Sequence, residues 1–514
     1  MKEIEVSSKN DIAQGIYIVN FSKDSLMKIN SASKGRPIIS TTFAGKRAVL
    51  VGDELHTFEG LTFHDFLVHY LKQKLTLEWF RKESQEPEET RHPILKWLHE
   101  LAEIQRKTGE DKSKTEIWSA PLTGSALSFL KLAHNIYLLS HNVKLEERLL
   151  KRLRSKDQFF GALYETFVAA VFIQSGFDIE LEDEADTDTS HCEFTATNRK
   201  TGNKFSVEAK LRSKKDNDNI DNISVKWRVL KALHKKAEHK RIIFVDINFP
   251  VDSFEEGNKL FDKTDIILND LEKTKNETAY IFVTNNPHYF KEHSNNIQSS
   301  VLIRGFNIPE FTRNQARSLH EAIEFRKKHF DIIQIQKLFR NVYDIPSGFS
   351  EDLVSEICKM SSLAGLTIGC TYKLPYIDEN IADAILENII VDEYKKKIYA
   401  IFRYIGRNES AIKFISLTED DLEEYRKLRK QISDKINDTK QLDKMGMLEI
   451  YDTLYETYNE STKENLINFL ENDPNINILK TKSQEELAQY YCERIAESIY
   501  FDIQKHSNRP FSYA

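Results

Sequence analysis

Two nearby stretches, QFFGALYETFVAAVFIQSGF (residues 158–177) and HCEFTATNRKTGNKFSVEAKL (residues 191–211), decide how this chain is read. In the first, Phe160, Leu163, Tyr164, Phe167, Val168 and Val171 recur at helical spacing, and the opposite face holds only Ala162, Thr166, Ala169 and Ala170. A helix apolar on both faces is packed on both sides. Glu165 is the one charged residue between Asp157 and Asp178. A lone carboxylate there is costly unless it is paired, protonated or bound to a metal. The bland alternative is a Glu at the helix edge reaching solvent or a nearby Lys. Ser155 with Gln158 predicts a capping-box start, and Gly176 a stop.

The second stretch reads as a hairpin. Residues 191–198 and 204–211 alternate β-branched or aromatic residues with polar ones, around the turn Lys200-Thr201-Gly202-Asn203. Phe205, Val207, Ala209 and Leu211 share one face of the second strand, and Ser206, Glu208 and Lys210 the other. On the first strand Cys192, Phe194 and Ala196 point inward, leaving His191, Glu193 and Thr195 opposite. A two-residue loop at Thr201-Gly202 would set Glu193 across from Lys210 and diagonal to Glu208. Diagonal neighbours lie roughly 7–8 Å apart, close enough for two carboxylates to converge on one cation. A one-residue bulge would break this register.

An apolar helix with one Glu, an acid-bearing strand, a turn, a Glu-x-Lys strand, a basic helix and an apolar strand, in that order, resemble the PD-(D/E)XK (restriction-endonuclease-like) nuclease superfamily over about residues 155–305. The resemblance implies a mixed sheet flanked by helices, and catalytic roles for Glu165, Glu193, Glu208 and Lys210. It further implies Mg²⁺ (or Mn²⁺) held by Glu165, Glu193 and Glu208. Two positions depart from the common pattern: Glu193 stands where Asp is usual, and Cys192 where Pro is usual. Asp186 or Asp188, just upstream, is the alternative ligand. There is also no Gln early in the following helix, a feature of some branches.

The chemistry accounts for these residue types. Phosphodiester hydrolysis calls for a divalent cation that polarises a phosphoryl oxygen and acidifies a bound water. Hard cations take oxygen ligands and keep several waters, so a few carboxylates suffice. Lys210 would orient or deprotonate the water, or stabilise charge on the phosphate. Charge patterning fits a polyanion. Between Arg199 and Arg241 there are fourteen Lys or Arg against five acids, an excess of nine in a chain whose net charge is −7. Residues 178–193 hold eight acids and no Lys or Arg. Arg212, Lys214, Lys215, Lys226, Arg228 and Lys231 are therefore the expected nucleic-acid contacts. An ordinary solvated helix face is the competing reading for any single Lys, Lys235, Lys236 and Lys240 included.

At 514 residues the chain is too long for one core. The expected class is α/β, α+β overall. A small β unit is expected over 1–60 and a helical scaffold over 61–154. The nuclease-like domain follows over 155–310, a connecting helix over 311–345 and a mainly helical α+β region over 346–514. Within these, strands are predicted at Ile16–Phe21, Pro37–Phe43, Arg47–Val51, Arg241–Asn248, Ala279–Thr284 and Val301–Gly305. Further strands fall at Thr367–Lys373, Lys397–Tyr404 and Ala411–Leu417, with one long helix from Thr312 to about Asn341 and another at Ser350–Ser361. Asp246, at a strand end, is a possible extra site acid, with a turn role favoured.

Cys192, Cys358, Cys370 and Cys492 lack metal-site or disulfide spacing, and paired histidines such as His64 and His69 do not share a helical turn. No run approaches the ~20 apolar residues of a membrane span, and the N-terminus is too acidic for a signal peptide. A reducing cytoplasmic setting is expected, with no membrane. No Walker A loop, G-x-G-x-x-G, G-x-S-x-G or internal repeat is present. Any ATP-driven step would need a partner ATPase. The expectation is thus a metal-dependent endonuclease acting on nucleic acid, DNA before RNA, as a homo-oligomer in microbial restriction or anti-phage defence. The alternative is an inactive nuclease-like fold that binds nucleic acid or builds a multiprotein complex.

Overall fold

The computed structural model describes residues 16–20, 35–43, 46–109, 120, 122–143, 147–181, 192–212, 225–251, 253–290, 292–294, 298–312, 318–339, 342–349, 371–376, 381–407, 409–426, 446–459 and 461–506. Asp186, Asp188, Lys214, Lys215, Cys358, Cys370 and the helix expected at Ser350–Ser361 lie outside them. The chain forms two compact units, Met1–Thr312 with Gln334–Lys430, and Arg313–Ile333 with Gln431–Ala514.

The first part of the larger unit runs β1 (Ile16–Asn20), β2 (Ile39–Phe43), β3 (Lys46–Val51), β4 (Glu54–Phe58), α1 (Phe63–Lys74), α2 (Leu77–Ser84), α3 (Pro93–Gly109), α4 (Gly124–Asn142) and α5 (Glu147–Arg154). Next come α6 (Phe159–Gln174), β5 (Phe177–Leu181), β6 (Phe194–Asn198), β7 (Lys204–Leu211), α7 (Val225–His234), β8 (Lys240–Asp246), α8 (Phe254–Glu272), β9 (Ala279–Asn285) and β10 (Gln298–Phe306). After the helices α9 (Leu319–Lys328) and α10 (Phe330–Leu338), the unit closes with β11 (Thr371–Pro375), β12 (Ile381–Asp392), β13 (Lys397–Tyr404) and β14 (Ser410–Ser416).

A seven-stranded sheet of order β1-β10-β9-β8-β7-β6-β5 carries the site. The β7–β8 and β8–β9 pairs are parallel, each crossing through one helix, and the other pairs are antiparallel. The protein is therefore a mixed helix-and-strand fold with one mixed sheet. Helices α7 and α8 cover one face, packing Val225, Val229, Leu233, Leu260 and Phe261 onto Ile243, Val245, Ile281 and Val283. Helix α6 covers the other, where Phe172 meets the rings of Phe177, Phe194 and Phe244. Glu208 pairs with Ile243 and Lys210 with Val245, so both leave β7 on the α7–α8 side, while Ala209, beside Phe244, faces α6.

Several expectations need correction. The β unit of residues 1–60 divides: β2, β3 and β4 form a three-stranded sheet, whereas β1 pairs with β10 in the large one. That pairing satisfies the backbone groups β10 would otherwise expose along its edge. The four-stranded sheet β11-β12-β13-β14 belongs to the same compact unit as the N-terminal strands. A buried ion pair holds them together, Arg36 Nε on Asp392 Oδ2 at 2.7 Å, with Arg36 also donating to the His141 carbonyl at 2.9 Å. The single helix expected over Thr312–Asn341 is instead separate helices, and Ser318 starts α9 anew by accepting from the Glu321 N–H. Thr76, at φ 68°, likewise separates α1 from α2 and caps the latter by accepting from the Trp79 N–H.

The smaller unit gathers α9, α11 (Met447–Tyr458) and α14 (Gln484–His506) around Leu319, Ile323, Ile450, Tyr451, Cys492 and Ala496; the short α12 (Lys463–Phe469) and α13 (Ile476–Leu479) lie between the last two in the chain. These residues give each of the three helices one buried apolar side, as a helical core requires. Among the described residues no helix is long and apolar enough to cross a membrane.

Candidate functional site

The site is built on the β6–β7 hairpin, and its connection differs from expectation. The Asn198 side chain accepts from the Lys200 and Thr201 N–H groups at 2.8 and 3.3 Å, and Gly202, at φ 71°, donates to the Asn198 carbonyl. The loop is thus four residues, Arg199–Gly202, because an Asx-type turn needs that length and a left-handed residue to return the chain. Phe194 consequently pairs with Val207, a register two residues from that of a Thr201-Gly202 loop. An even shift keeps every side chain on its face. Glu193, whose N–H donates to the Val207 carbonyl at 2.9 Å, meets Glu208 more directly than expected.

Two ammonium groups bridge these carboxylates. Lys210 Nζ lies 3.1 Å from Glu193 Oε1 and also contacts Glu208 Oε1; Lys235 Nζ lies 3.5 Å from the former and 2.9 Å from the latter. Glu208 is 1% exposed, whereas Lys210 and Lys235 form the side open to solvent. Both Glu208 oxygens are buried; Oε1 is held by the two ammonium groups, and Oε2 has no hydrogen-bond partner among the described residues. Such a carboxylate keeps unused acceptor capacity beside two cations.

The titration of the cluster follows from this packing. Burial, reinforced by Glu193, pushes the Glu208 carboxyl up to about 7. Burial acts on Glu193 too, but Lys210, Lys235 and Arg152 outweigh it and hold that group below the ordinary range. For Lys210 burial alone would favour the neutral amine; Glu208 and Glu193 overcome it and keep the ammonium above the usual lysine value. Facing carboxylates driven in opposite directions, with a cation between them, are typical of sites that handle charge.

Glu165 does not join them. Arg152 of α5 grips it with both guanidinium nitrogens, Nη1 to Oε2 and Nη2 to Oε1, each at 2.6 Å. A two-pronged guanidinium–carboxylate pair satisfies both oxygens. The physical reason for the separation is layering: α6 lies on the sheet face opposite to the one from which Glu208 and Lys210 project. Glu193 and Lys210 are still near enough to act on Glu165, whose carboxyl burial raises. Among the described residues no group of three or more His, Cys, Asp or Glu is placed to hold a metal ion, so the expected three-acid convergence is replaced by a two-acid one.

Oxygen donors from Glu193 and Glu208 nevertheless suit a hard divalent cation. Mg²⁺ or Mn²⁺ is commonly held by one or two carboxylates with several waters retained, and the unpartnered Oε2 of Glu208 fits that use.

The expected nucleic-acid contacts separate into kinds. Lys226 and Lys231 are exposed on α7, and Arg228, half-buried, donates Nε to the Leu211 carbonyl at 3.1 Å. Arg212 is not on the surface at all. It is 1% exposed, donates Nη1 to the Asn248 carbonyl at 3.4 Å and lies over the Phe249 ring, so it anchors the chain after β8. Asp246 is likewise structural: it accepts from the Asn248 N–H, Thr284 Oγ1 and Asn286 Nδ2 at 2.7, 2.7 and 2.9 Å.

Sequence reasoning missed Lys235 and Arg152. The first sits one residue past the end of α7, so it is aimed by the turn into β8 and not by the helix face to which it was assigned. The second belongs to the cation-rich ERLLKRLR helix just before the apolar one. A buried Glu with four Lys or Arg immediately upstream was the available signal. No protein-family model, curated protein or solved structure matches the chain.

Proposed function

We propose that this protein is a divalent-metal-dependent nuclease of restriction-endonuclease-like architecture, acting on nucleic acid and on DNA before RNA. The observation that carries the reading is the Glu193–Glu208 pair, closed over two ammonium groups, with Glu208 buried and its second oxygen, Oε2, without a partner. The order of helix α6, hairpin β6–β7 with Glu-x-Lys, basic helix α7 and strand β8 supports the architecture.

Glu193 and Glu208 would hold Mg²⁺ or Mn²⁺. Bound there, the ion would polarise a phosphoryl oxygen and acidify a water. Lys210 keeps its proton at Nζ, because two carboxylates stabilise it, and so offers a fixed positive charge and a donor beside the phosphate. Lys235 supplies a second ammonium on the same two carboxylate oxygens. Exposed Lys226 and Lys231 extend positive potential along α7 for the phosphate backbone.

A second reading has its own observation. Glu193 and Glu208 face Lys210 and Lys235, and Glu165 faces Arg152, so each acid is already matched by cations within the fold. Such a cluster suits a chain that binds nucleic acid without cutting it. Plasmid and RNA substrates incubated with Mg²⁺, with and without EDTA, beside Glu208→Ala separate the two. Metal-dependent loss of substrate by the wild type alone supports the nuclease, and intact substrate under every condition supports the binder.

A further inference from the structure

We propose that the outer face of α7 is a stacking platform for unpaired bases of a single-stranded nucleic acid, with the Trp227 indole as the base contact. The choice of polymer rests on the nuclease reading of the acid pair. The helix buries Val225, Val229, Ala232 and Leu233 against the sheet, which leaves the other side to solvent. There Trp227 is 66% exposed, while Trp97 in the same unit is buried. A large aromatic side chain left outside has forgone the burial that normally fixes it.

Its neighbours identify what covers it. Trp227, Lys231 and His234 fall at i, i+4 and i+7, one stripe down the helix, and the preceding residue Lys226 is exposed as well. From Val225 to Arg241 there are seven Lys or Arg and one acid, Glu238. An indole set among cations matches a polymer that carries a negative charge and a flat apolar face in each unit. A duplex hides those faces in its base stack and presents only edges in its grooves. An unpaired base presents the face itself.

The stripe also has a direction. Lys235, one residue past the end of α7, touches both acids of the site. The helical rise over the seven residues from Trp227 to His234, the last of α7, is about 10 Å. That length corresponds to roughly three nucleotides of a stacked strand. A strand whose phosphate lies at the acid pair would therefore lay a base from a few nucleotides away on Trp227. The platform selects unpaired strand near the point of cleavage.

The test uses the full-length protein in EDTA at fixed salt. Labelled oligo(dT), oligo(U) and a DNA duplex of equal length are titrated with wild type, Trp227→Ala and Trp227→Phe, and anisotropy gives each Kd. Trp227→Ala is expected to weaken single-strand binding about 5- to 100-fold and duplex binding less than twofold, with Trp227→Phe within about threefold of wild type. The oligo(dT) and oligo(U) arms tell DNA from RNA. Equal single-strand affinity in Trp227→Ala, equal loss on single strand and duplex, or no binding by the wild type overturns the proposal. So does an equal loss on poly-glutamate, which would make the occupant an acidic protein. Cleavage with Mg²⁺ is scored separately: a wild type that cuts while Trp227→Ala binds normally sinks the platform alone, and a Trp227-dependent binder that never cuts sinks the nuclease reading alone.

Discussion

Glu208 on β7 and Asp246 on β8 are both buried carboxylates on adjacent parallel strands, and burial pushes each up to about 7. Their surroundings differ. Asp246 accepts three well-formed hydrogen bonds from Asn248, Thr284 and Asn286, which tie together the chain ends of β8 and β9. Glu208 has one oxygen held by Lys210 and Lys235 and the other without a partner, and it faces another acid. A buried acid whose bonds are all made inside the fold holds that fold together, whereas one gathered with like charge and left with a spare oxygen is a candidate ligand for a cation.

The largest effect that sharpens this contrast is catalytic. Glu208→Ala or Lys210→Ala should lower Mg²⁺-dependent cleavage by about 10³-fold or more, while circular dichroism and the thermal midpoint show an intact fold. Wild-type-like cleavage in either variant breaks the assignment. Next in size is Asp246→Ala, which strands two buried side-chain donors and a backbone N–H and should cost about 2–4 kcal/mol in denaturant unfolding. A neutral result would remove the structural role given to it. Arg152→Met should cost about 1–3 kcal/mol by leaving Glu165 without its partner, with Mn²⁺ affinity within about threefold of wild type. Tenfold tighter binding would return Glu165 to the metal as a third ligand.

The smallest effect is on pH dependence without metal. A carboxyl whose folded pKa lies above its unfolded value binds its proton more tightly in the fold, so its contribution is full at low pH and is lost as pH rises through the folded value. Unfolding free energy should fall between about pH 4.5 and 7 on account of Glu208 and between about pH 3.8 and 7 on account of Asp246, by at most about 1.4 kcal/mol per pH unit for each. Glu208→Gln should flatten part of that slope in pH-dependent denaturant titrations. An unchanged slope would mean that Glu208 is not raised.

What the sequence showed and what it hid follow from the range of the forces involved. The period-2 pattern of residues 204–211 placed Glu208 and Lys210 on one face, and that survived because the register error was two residues, an even number. The error itself arose at Asn198, whose side chain captures two backbone N–H groups, a choice made by local hydrogen bonds that hydrophobic patterning does not record. Glu165 was legible as an acid in need of a partner, but which one depended on how α5 packs on α6. Arg212 looked like a surface cation by composition, and only the packing of Phe249 and Asn248 shows it inside. Strand β12 (IADAILENIIVD) went unforeseen because its acids interrupt the alternation and a bulge between Leu386 and Asn388 shifts its phase.

The claim beneath the functional reading is that Glu193 and Glu208 form a binding site for a divalent cation. Titration calorimetry of Mn²⁺ into wild type and Glu208→Gln at pH 8, where the Glu208 carboxyl is ionised, tests it most directly. The account predicts one site in the wild type, weaker by tenfold or more in the variant. Equal binding by both proteins, or none by the wild type, would contradict it.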